Sequence, residues 1–336
     1  MSAPVIACVG AGRMGRQIAY CFAYAGYPVH LLDAKPRSDE DAVRTAEEAR
    51  AEIRATLTMM AGLGAFDAAA IDTILARVTV FPLERAEAAL GPARVVFEAV
   101  PETDAAKREG LALIDATAGA EAIVASTTST YLSTQLSDWS GRPARFLNAH
   151  WLNPAFLVPL VEVSPTPETD PVVTAELTAL LEAVGKAPVT CAPSPGYIVP
   201  RIQALAMNEA ARLVEEGVAS AEDVDRAVKY GFGLRFAVLG LLEFIDWGGG
   251  DILFHASRYM ADATGEDRFS APKIVQDNMA EGRRGLRDGR GFYDYGTMDT
   301  EAWRQERMAG FLRMLVGTGL HRPPALDPSS PAEETT

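Results

Sequence analysis

The chain has 336 residues, 48% hydrophobic and 23% charged, a composition typical of a globular protein with roughly two domains. Acidic residues outnumber Lys and Arg by 45 to 31, and the resulting net charge of −14 argues against nucleic acids and anionic membrane surfaces as partners. Three cysteines without a CxxC spacing predict a reducing, cytoplasmic location and no metal site, and no apolar run reaches the roughly 18 residues of a membrane helix.

Short β-rich runs alternate with longer helical stretches through the first half of the chain. This alternation predicts a parallel sheet flanked by helices. The predicted strands are 5–10, 29–33, 78–81, 94–100, 122–126 and 145–150. We expect residues 38–77 to form a helical insertion between the second and third of these strands.

Capping residues mark the helix that follows the last of these strands. Asp170 is suited to cap its amino end, Pro171 to occupy its first position and Gly185 to end it. One more short β-rich run, 188–192, comes after this helix.

The remaining chain is predicted to be almost wholly helical. Tyr197 to Glu216 forms a long helical segment that Gly217 would end. Ser220 and Asp223 match a capping box at the start of the next helix, which Gly231 would end.

The change from alternating to helical pattern places the domain boundary near Ser194. We therefore expect a nucleotide-binding domain at 1–193 and a helical domain at 194–322. The tail, 323–336, is rich in Pro, Ser and acidic residues and is predicted to be disordered.

A glycine-rich turn follows the first strand and opens the first helix. In such a turn the glycines allow a sharp bend and a close approach of the backbone to a pyrophosphate, which sits at the helix amino end. Asp33 ends the second strand about 20 residues on, where a carboxylate binds the ribose hydroxyls and repels a 2′-phosphate. The pattern predicts NAD as cofactor, although Lys35 and Arg37 would soften the preference over NADP, and a glycine turn in an unrelated α/β domain is the alternative. The turn residues expected to contact NAD are Gly10, Gly12, Arg13, Met14 and Gly15.

His150 is the candidate base for an alcohol dehydrogenation. The chain has four histidines, and His150 alone follows a sheet strand on the side where open α/β sheets bind their ligands. Glu162, on the returning VPLVEV segment, is placed to accept from its second ring nitrogen. A strand-end histidine that is simply satisfied in the core is the alternative.

Six segments together resemble the L-3-hydroxyacyl-CoA dehydrogenase family, which includes lambda-crystallin (L-gulonate dehydrogenase) and L-carnitine dehydrogenase. They are GAGRMG, FEAVPE, STTS, HWLNP with PLVEV, SPGYIVPR and GRGFYDY, and they cover residues 1 to about 296. The resemblance implies that His150 is the base, that Glu162 is its partner, and that Ser129 and Asn153 contact the substrate hydroxyl and the nicotinamide. For Ser129 the alternative is a turn hydroxyl bonded to its own backbone. The resemblance also assigns cofactor contacts to Glu102, Lys107 and Lys273.

The family resemblance implies a fold as well as a reaction. The fold is a Rossmann-type, doubly wound, mostly parallel α/β sheet followed by an all-α C-terminal domain that pairs two subunits into a homodimer. The reaction is hydride transfer from carbon 3 of a small-molecule substrate to NAD while His150 takes the hydroxyl proton, which would place the enzyme in fatty acid metabolism.

Two features leave the substrate open. Pro200 stands where the family usually has Asn after GFIV, so a side-chain contact near the substrate is missing. The arginines of the 38–77 insertion alternate with acidic residues, which favours a solvated helix face over a coenzyme A phosphate site.

Three functions are therefore considered. The first is NAD-dependent oxidation of a short-chain 3-hydroxyacyl-CoA of the 3-hydroxybutyryl-CoA type. The second is oxidation of a free 3-hydroxy acid such as L-gulonate or carnitine, with Arg235 as a candidate fork for its carboxylate or, alternatively, as a structural partner of Glu243 or Asp246. The third is NAD binding without turnover.

Overall fold

A computed structural model describes residues 3–324 of the chain. Of the tail predicted to be disordered, 323–336, all but the first two residues lie outside the described part of the chain. Contacts divide the chain into two compact units, 1–206 and 207–336, and this division falls inside a helix; the domain boundary near Ser194 stays a prediction. None of the described helices combines the length and the apolar character needed to span a bilayer.

The first unit is built on a single sheet. Its strands are β1 (Val5–Val9), β2 (Val29–Leu32), β3 (Val78–Phe81), β4 (Ala93–Glu98), β5 (Ile123–Ser126), β6 (Phe146–Trp151), β7 (Leu160–Pro165) and β8 (Ala187–Thr190). They are ordered β3-β2-β1-β4-β5-β6-β7-β8, with β1 to β6 parallel, β7 antiparallel to β6, and β8 parallel to β7. This confirms the mostly parallel, doubly wound sheet.

Helices cover both faces of the sheet, so both faces are apolar. Successive residues of a strand point to opposite faces, and accordingly Val95 and Phe97 belong to one core layer while Val96 belongs to the other. Full burial stabilises the fold by about 1.5–3 kcal/mol for each large apolar side chain. The helices are α1 (Arg13–Tyr24), α2 (Asp39–Gly62), α3 (Ile71–Leu75), α4 (Ala86–Leu90), α5 (Asp104–Thr117), α6 (Ser133–Ser137), α7 (Pro171–Ala183) and α8 (Val199–Glu215), the last of which crosses the division between the units.

The insertion expected at 38–77 forms α2 and α3. Ser38 caps α2 by accepting from the Asp41 amide at 3.2 Å. The helix then buries one narrow stripe, since its buried residues recur at every fourth position: Thr45, Ala49, Ile53 and Leu57. The opposite face of α2 is exposed at several charged positions, among them Arg44, Glu47 and Glu48.

The second unit is helical over the described residues. Its helices, after the end of α8, are α9 (Ala221–Ala227), α10 (Leu234–Phe236), α11 (Leu241–Gly248), α12 (Gly250–Thr264), α13 (Lys273–Ala280) and α14 (Thr300–Gly317). Ser220 caps α9 as predicted, by accepting from the Asp223 amide at 3.1 Å. The helix end predicted at Gly231 is wrong, because the backbone continues as a π-helix over Val228–Gly233 directly into α10.

The GRGFYDY segment of the second unit folds around Asp246. This carboxylate is 2% exposed and accepts from the amides of Phe292 and Tyr293 and from the Tyr295 hydroxyl, at 2.9–3.0 Å. A Cβ at Gly291 would lie 2.1 Å from Asp246 Oδ1, so only glycine fits there. The motif therefore serves the fold of the second unit.

Candidate active site

A cavity of about 930 Å³ opens at the carboxyl ends of the parallel strands, within the first unit. Segments that follow β1, β2, β4, β5 and β6 line it, as expected for an open α/β sheet. Eight of the residues singled out from the sequence line it: the turn residues Gly10, Gly12, Arg13 and Met14, together with Asp33, Glu102, Ser129 and Asn153. His150 is a ninth predicted residue that lines the cavity.

The glycine turn has the shape that a pyrophosphate requires. Gly10 has φ of +113°, and a Cβ there would lie 2.6 Å from the Ala99 carbonyl oxygen. Gly15 packs so closely that a Cβ would be 2.1 Å from the Gly10 carbonyl oxygen, whereas the space beside Gly12 is open. The first turn of α1 has neither an acidic residue nor a side-chain cap, which leaves its amides available to an anion. These features fit the NAD pyrophosphate.

Asp33 lies at the part of the cavity that follows β2, where a ribose is expected. Its carboxylate is ion-paired with Arg37, and Lys35 and Arg37 also line the cavity. The hydrogen bond to Asp33 raises the pKa of the Arg37 guanidinium. A ribose diol would therefore share the carboxylate with this arginine or displace it.

His150 and Glu162 form a buried pair across the two strands β6 and β7. They are direct partners in the antiparallel register, and His150 Nδ1 lies 2.7 Å from Glu162 Oε2. A carboxylate can only accept here, so Nδ1 carries the hydrogen and Nε2 keeps its lone pair. The other carboxylate oxygen accepts from the amides of Ile198 and Val199, at 2.9 and 2.7 Å. The arrangement can therefore accept a proton on Nε2 and stabilise the imidazolium that results.

Ser129 and Asn153 are both exposed to the cavity. The alternative for Ser129 was a turn hydroxyl that bonds the local backbone. In this loop two other hydroxyls form such bonds: Ser126 accepts from the Thr128 amide, and Thr128 accepts from the amides of Thr130 and Tyr131. Ser129 thus presents its side chain where the loop that follows β5 meets the cavity.

Lys107 lies behind Glu102 and is not among the residues that line the cavity. Its ammonium group is wholly buried, donates to both oxygens of Glu98 at 3.0 and 3.1 Å, and lies 3.6 Å from Glu102. Glu102, which does line the cavity, also accepts from the hydroxyls of Thr128 and Thr130. Lys107 therefore supports Glu102, and its own assigned contact with the cofactor stays a prediction.

Sequence reasoning missed Glu98 and Tyr197. Glu98 ends β4 fully buried, where it accepts from Lys107, from the Ser126 hydroxyl and from the Val100 amide. The sequence did carry a signal for Glu98, because an acidic residue at the end of an otherwise apolar strand indicates a buried carboxylate with bonded partners. Tyr197 stacks on His150, with ring centroids 5.7 Å apart. Nothing in its spacing indicated that contact.

Arg235 and Lys273 belong to the second unit. The Arg235 guanidinium lies 4.7 Å from the centroid of the Phe244 ring, and the two acids considered as its partners are bonded elsewhere, Glu243 to Arg307 and Asp246 to the GRGFYDY segment. Lys273 is 83% exposed in an ion pair with Asp277 at the start of α13. Their assigned contacts with substrate and cofactor stay predictions.

Two family models match consecutive parts of the chain. The model of the 3-hydroxyacyl-CoA dehydrogenase NAD binding domain matches residues 5–194, and that of the 3-hydroxyacyl-CoA dehydrogenase C-terminal domain matches residues 196–295. The first match confirms NAD as the cofactor.

Named relatives extend along most of the chain. A 5-formyl-3-hydroxy-2-methylpyridine 4-carboxylate 5-dehydrogenase of Mesorhizobium japonicum is 32% identical over 90% of this chain and 94% of its own. An L-carnitine dehydrogenase of Streptomyces coelicolor is 32% identical over 94% of each chain. The crystal structure of a 3-hydroxyacyl-CoA dehydrogenase of Archaeoglobus fulgidus, 29% identical, superposes with a TM-score of 0.74 over 95% of this chain and all of the other. The chain therefore belongs to the 3-hydroxyacyl-CoA dehydrogenase family and is an NAD-dependent dehydrogenase that acts on a hydroxyl group.

Proposed function

We propose that the chain oxidises the secondary hydroxyl of a free 3-hydroxy acid, with His150 as the base. The observation that carries the proposal is the His150–Glu162 pair at the cavity, with 2.7 Å between the ring nitrogen and the carboxylate. A histidine held in one tautomer beside a buried anion is suited to take a hydroxyl proton and to return it in the reverse direction.

Each group has a distinct part in this reaction. Bound NAD supplies the acceptor for the hydride that leaves carbon 3. His150 takes the hydroxyl proton on Nε2, and Glu162 stabilises the positive charge that develops on the ring. Ser129 holds the substrate oxygen as it changes from hydroxyl to carbonyl, and Asn153 lines the cavity beside them.

The contacts of the 38–77 insertion support a free acid over a coenzyme A ester. Coenzyme A carries several phosphate charges and needs cations or free amides to bind them. Helix α2 carries six acidic side chains against three arginines. Its arginines, with Arg77 after α3, are engaged within the protein: Arg44 with Asp41, Arg50 with the Val78 carbonyl, Arg54 with Asp72, and Arg77 with the Ala23 carbonyl.

The start of α8 also bears on how a substrate carboxylate is held. The amides of Ile198 and Val199 are bonded to Glu162, and Pro200 has no amide hydrogen to offer. The start of α8 is therefore not available to bind a substrate carboxylate. Arg235 remains our candidate for binding the substrate carboxylate. Its guanidinium packs on the face of the Phe244 ring, and a guanidinium in such a contact can still donate hydrogen bonds from its edge.

Oxidation of a short-chain 3-hydroxyacyl-CoA is the second candidate. Both family models, which describe domains of 3-hydroxyacyl-CoA dehydrogenases, and the superposition with the Archaeoglobus fulgidus enzyme favour it. The Mesorhizobium and Streptomyces relatives, named for substrates without coenzyme A, favour the free acid.

A matched pair of substrates separates the two candidates. 3-Hydroxybutyrate and 3-hydroxybutyryl-CoA carry the same reacting hydroxyl and differ only in the acyl carrier. NADH absorbance would be followed with both, and with L-gulonate and carnitine. We expect a higher kcat/KM on one of the free acids than on the ester. A kcat/KM that is higher on 3-hydroxybutyryl-CoA than on every free acid would establish the second candidate instead.

The Arg235→Met variant tests the proposed anchor. Loss of a charged hydrogen bond to the carboxylate should lower kcat/KM on the preferred free acid by about 30-fold, equivalent to about 2 kcal/mol. Arg258→Met is the control, because Arg258 is another exposed arginine of the second unit that packs on a ring, that of Phe254. Equal kinetics in the two variants would remove Arg235 from the binding site.

A further inference from the structure

The turn between β8 and α8 holds an unusual backbone conformation. Tyr197 has φ of +44° and is the non-glycine residue with a positive φ within 3–324. A left-handed conformation of this kind costs a bulky residue about 1 kcal/mol or more and persists only where the surroundings enforce it. Such a residue points to a function for its side chain.

Both ends of the Tyr197 side chain are engaged. Its ring stacks on the His150 imidazole, with centroids 5.7 Å apart and planes 22° from parallel. Its hydroxyl donates to the carbonyl oxygen of Tyr131 at 2.7 Å. The residue is 4% exposed, and burial raises the pKa of its phenol well above the ordinary value, so the hydroxyl stays protonated as a donor.

The same turn also holds Glu162. The two residues after Tyr197, Ile198 and Val199, are those whose amides donate to its carboxylate. Three consecutive residues therefore contact all parts of the site. Tyr197 packs on His150 and bonds the loop that ends at Tyr131, and Ile198 and Val199 bond Glu162. That loop carries Ser129, two residues before the carbonyl that Tyr197 binds.

We propose that Tyr197 is a positioning residue that sets where the Ser129 loop stands relative to the His150 ring. This inference rests on the proposed function, in which Ser129 and His150 hold one substrate oxygen. The Tyr197 hydroxyl holds the Ser129 loop through the Tyr131 carbonyl, and the Tyr197 ring holds the His150 imidazole in place by stacking on it. A misplacement of about 1 Å between reacting groups is enough to cost about 100-fold in rate.

Two substitutions separate these contacts. Tyr197→Phe removes the bond to the Tyr131 carbonyl and keeps the ring on His150, whereas Tyr197→Leu removes both. We expect kcat on the preferred hydroxy acid to fall by about 10-fold in Tyr197→Phe and by about 100-fold in Tyr197→Leu. The Kd for NAD, from calorimetry, should change much less than kcat in both variants. The glycine turn and Asp33 are untouched, and of the predicted cofactor contacts only Glu102 is bonded to the loop, through Thr128 and Thr130.

Tyr295→Phe is the matched control. It removes an equivalent bond from a buried phenol, that between Tyr295 and Asp246 in the second unit. We expect it to lower the melting temperature and to leave kcat unchanged, so a loss of kcat in Tyr197→Phe alone cannot be a general effect of a missing buried hydroxyl.

Crystal structures of wild type and Tyr197→Phe give a readout that does not depend on the substrate. We expect residues 128–131 to move or lose order in the variant while the His150 ring keeps its place. An unmoved loop together with wild-type kcat would overturn the positioning role. Failure of the base assignment would show up separately, as turnover that survives loss of His150.

Discussion

Buried charge at the candidate site is concentrated in a few carboxylates, each surrounded by donors. Glu162 is fully buried and has three, the His150 ring and two amides. An isolated buried charge is strongly destabilising, and donors of this number offset the cost of desolvation. The anion therefore persists beside His150, where a charge that develops during proton transfer needs it.

The His150→Gln variant tests the base directly. Glutamine keeps an amide donor for Glu162 but has no group that takes a proton, so we expect kcat to fall by about 100-fold to 10,000-fold. NAD affinity should remain near wild type, because the residues that hold the cofactor are unchanged.

His30→Gln is the control for that experiment. His30 lies in β2 and bonds the Ala89 carbonyl at 2.8 Å, so its loss is expected to leave kcat unaffected. Turnover close to wild type in His150→Gln would show that another group accepts the proton.

Local signals in the sequence predicted most elements but not the contacts between distant ones. The cap at Asp170 and the helix ends at Gly185 and Gly217 follow from neighbouring residues, and both glycines take the left-handed conformation that ends a helix. Gly231 does not take it, so the helical backbone passes through. A glycine permits that conformation without imposing it.

The site shows the same division between local and distant information. The glycine turn, Asp33 and His150 could be placed from strand ends, because each follows its own strand. Burial of Lys107 against Glu98 depends on how α5 packs on β4, and the contact between Tyr197 and His150 joins residues far apart in the chain. Periodicity and spacing do not encode such contacts.

Helix α7 offers a test of a cap at the scale of one element. Asp170 accepts from the Val172 amide at 2.9 Å, so Asp170→Ala should lower the free energy of unfolding by about 1 kcal/mol in urea titrations and leave kcat unchanged. Glu168→Ala removes a nearby exposed acid that is not the cap and should change stability by less than half as much. Equal losses of unfolding free energy in the two variants would show that the lost negative charge, and not the lost cap, destabilises the protein.

Large apolar side chains are exposed on α8 and across the second unit. Met207 is 68% exposed and Tyr259 73%, and Leu205, Val218 and Ile252 are also more than half exposed. Large apolar side chains exposed in this number are typical of a protein that buries them against a partner. We therefore expect the chain to form a homodimer through its helical half.

Light scattering at micromolar concentration should give twice the chain mass of 35.9 kDa. Met207→Glu places a charge in the apolar surface and should shift the population toward monomer. Thr58→Glu, at an exposed position of α2 in the first unit, adds the same charge outside the helical half and should leave the dimer intact. A monomeric mass for the wild type would refute the homodimer.

The register of β6 against β7 has a consequence for how new specificities arise. Because His150 and Glu162 are paired through the main chain of the sheet, their spacing does not depend on the loops that touch a substrate. Redesign for another hydroxy compound can thus be confined to residues of the second unit, which leaves Ser129, Tyr197 and the pair itself unchanged. We expect variants from libraries randomised there to keep the pair of His150 and Glu162 intact. Some of these variants should then gain kcat on a new substrate as they lose it on the original one.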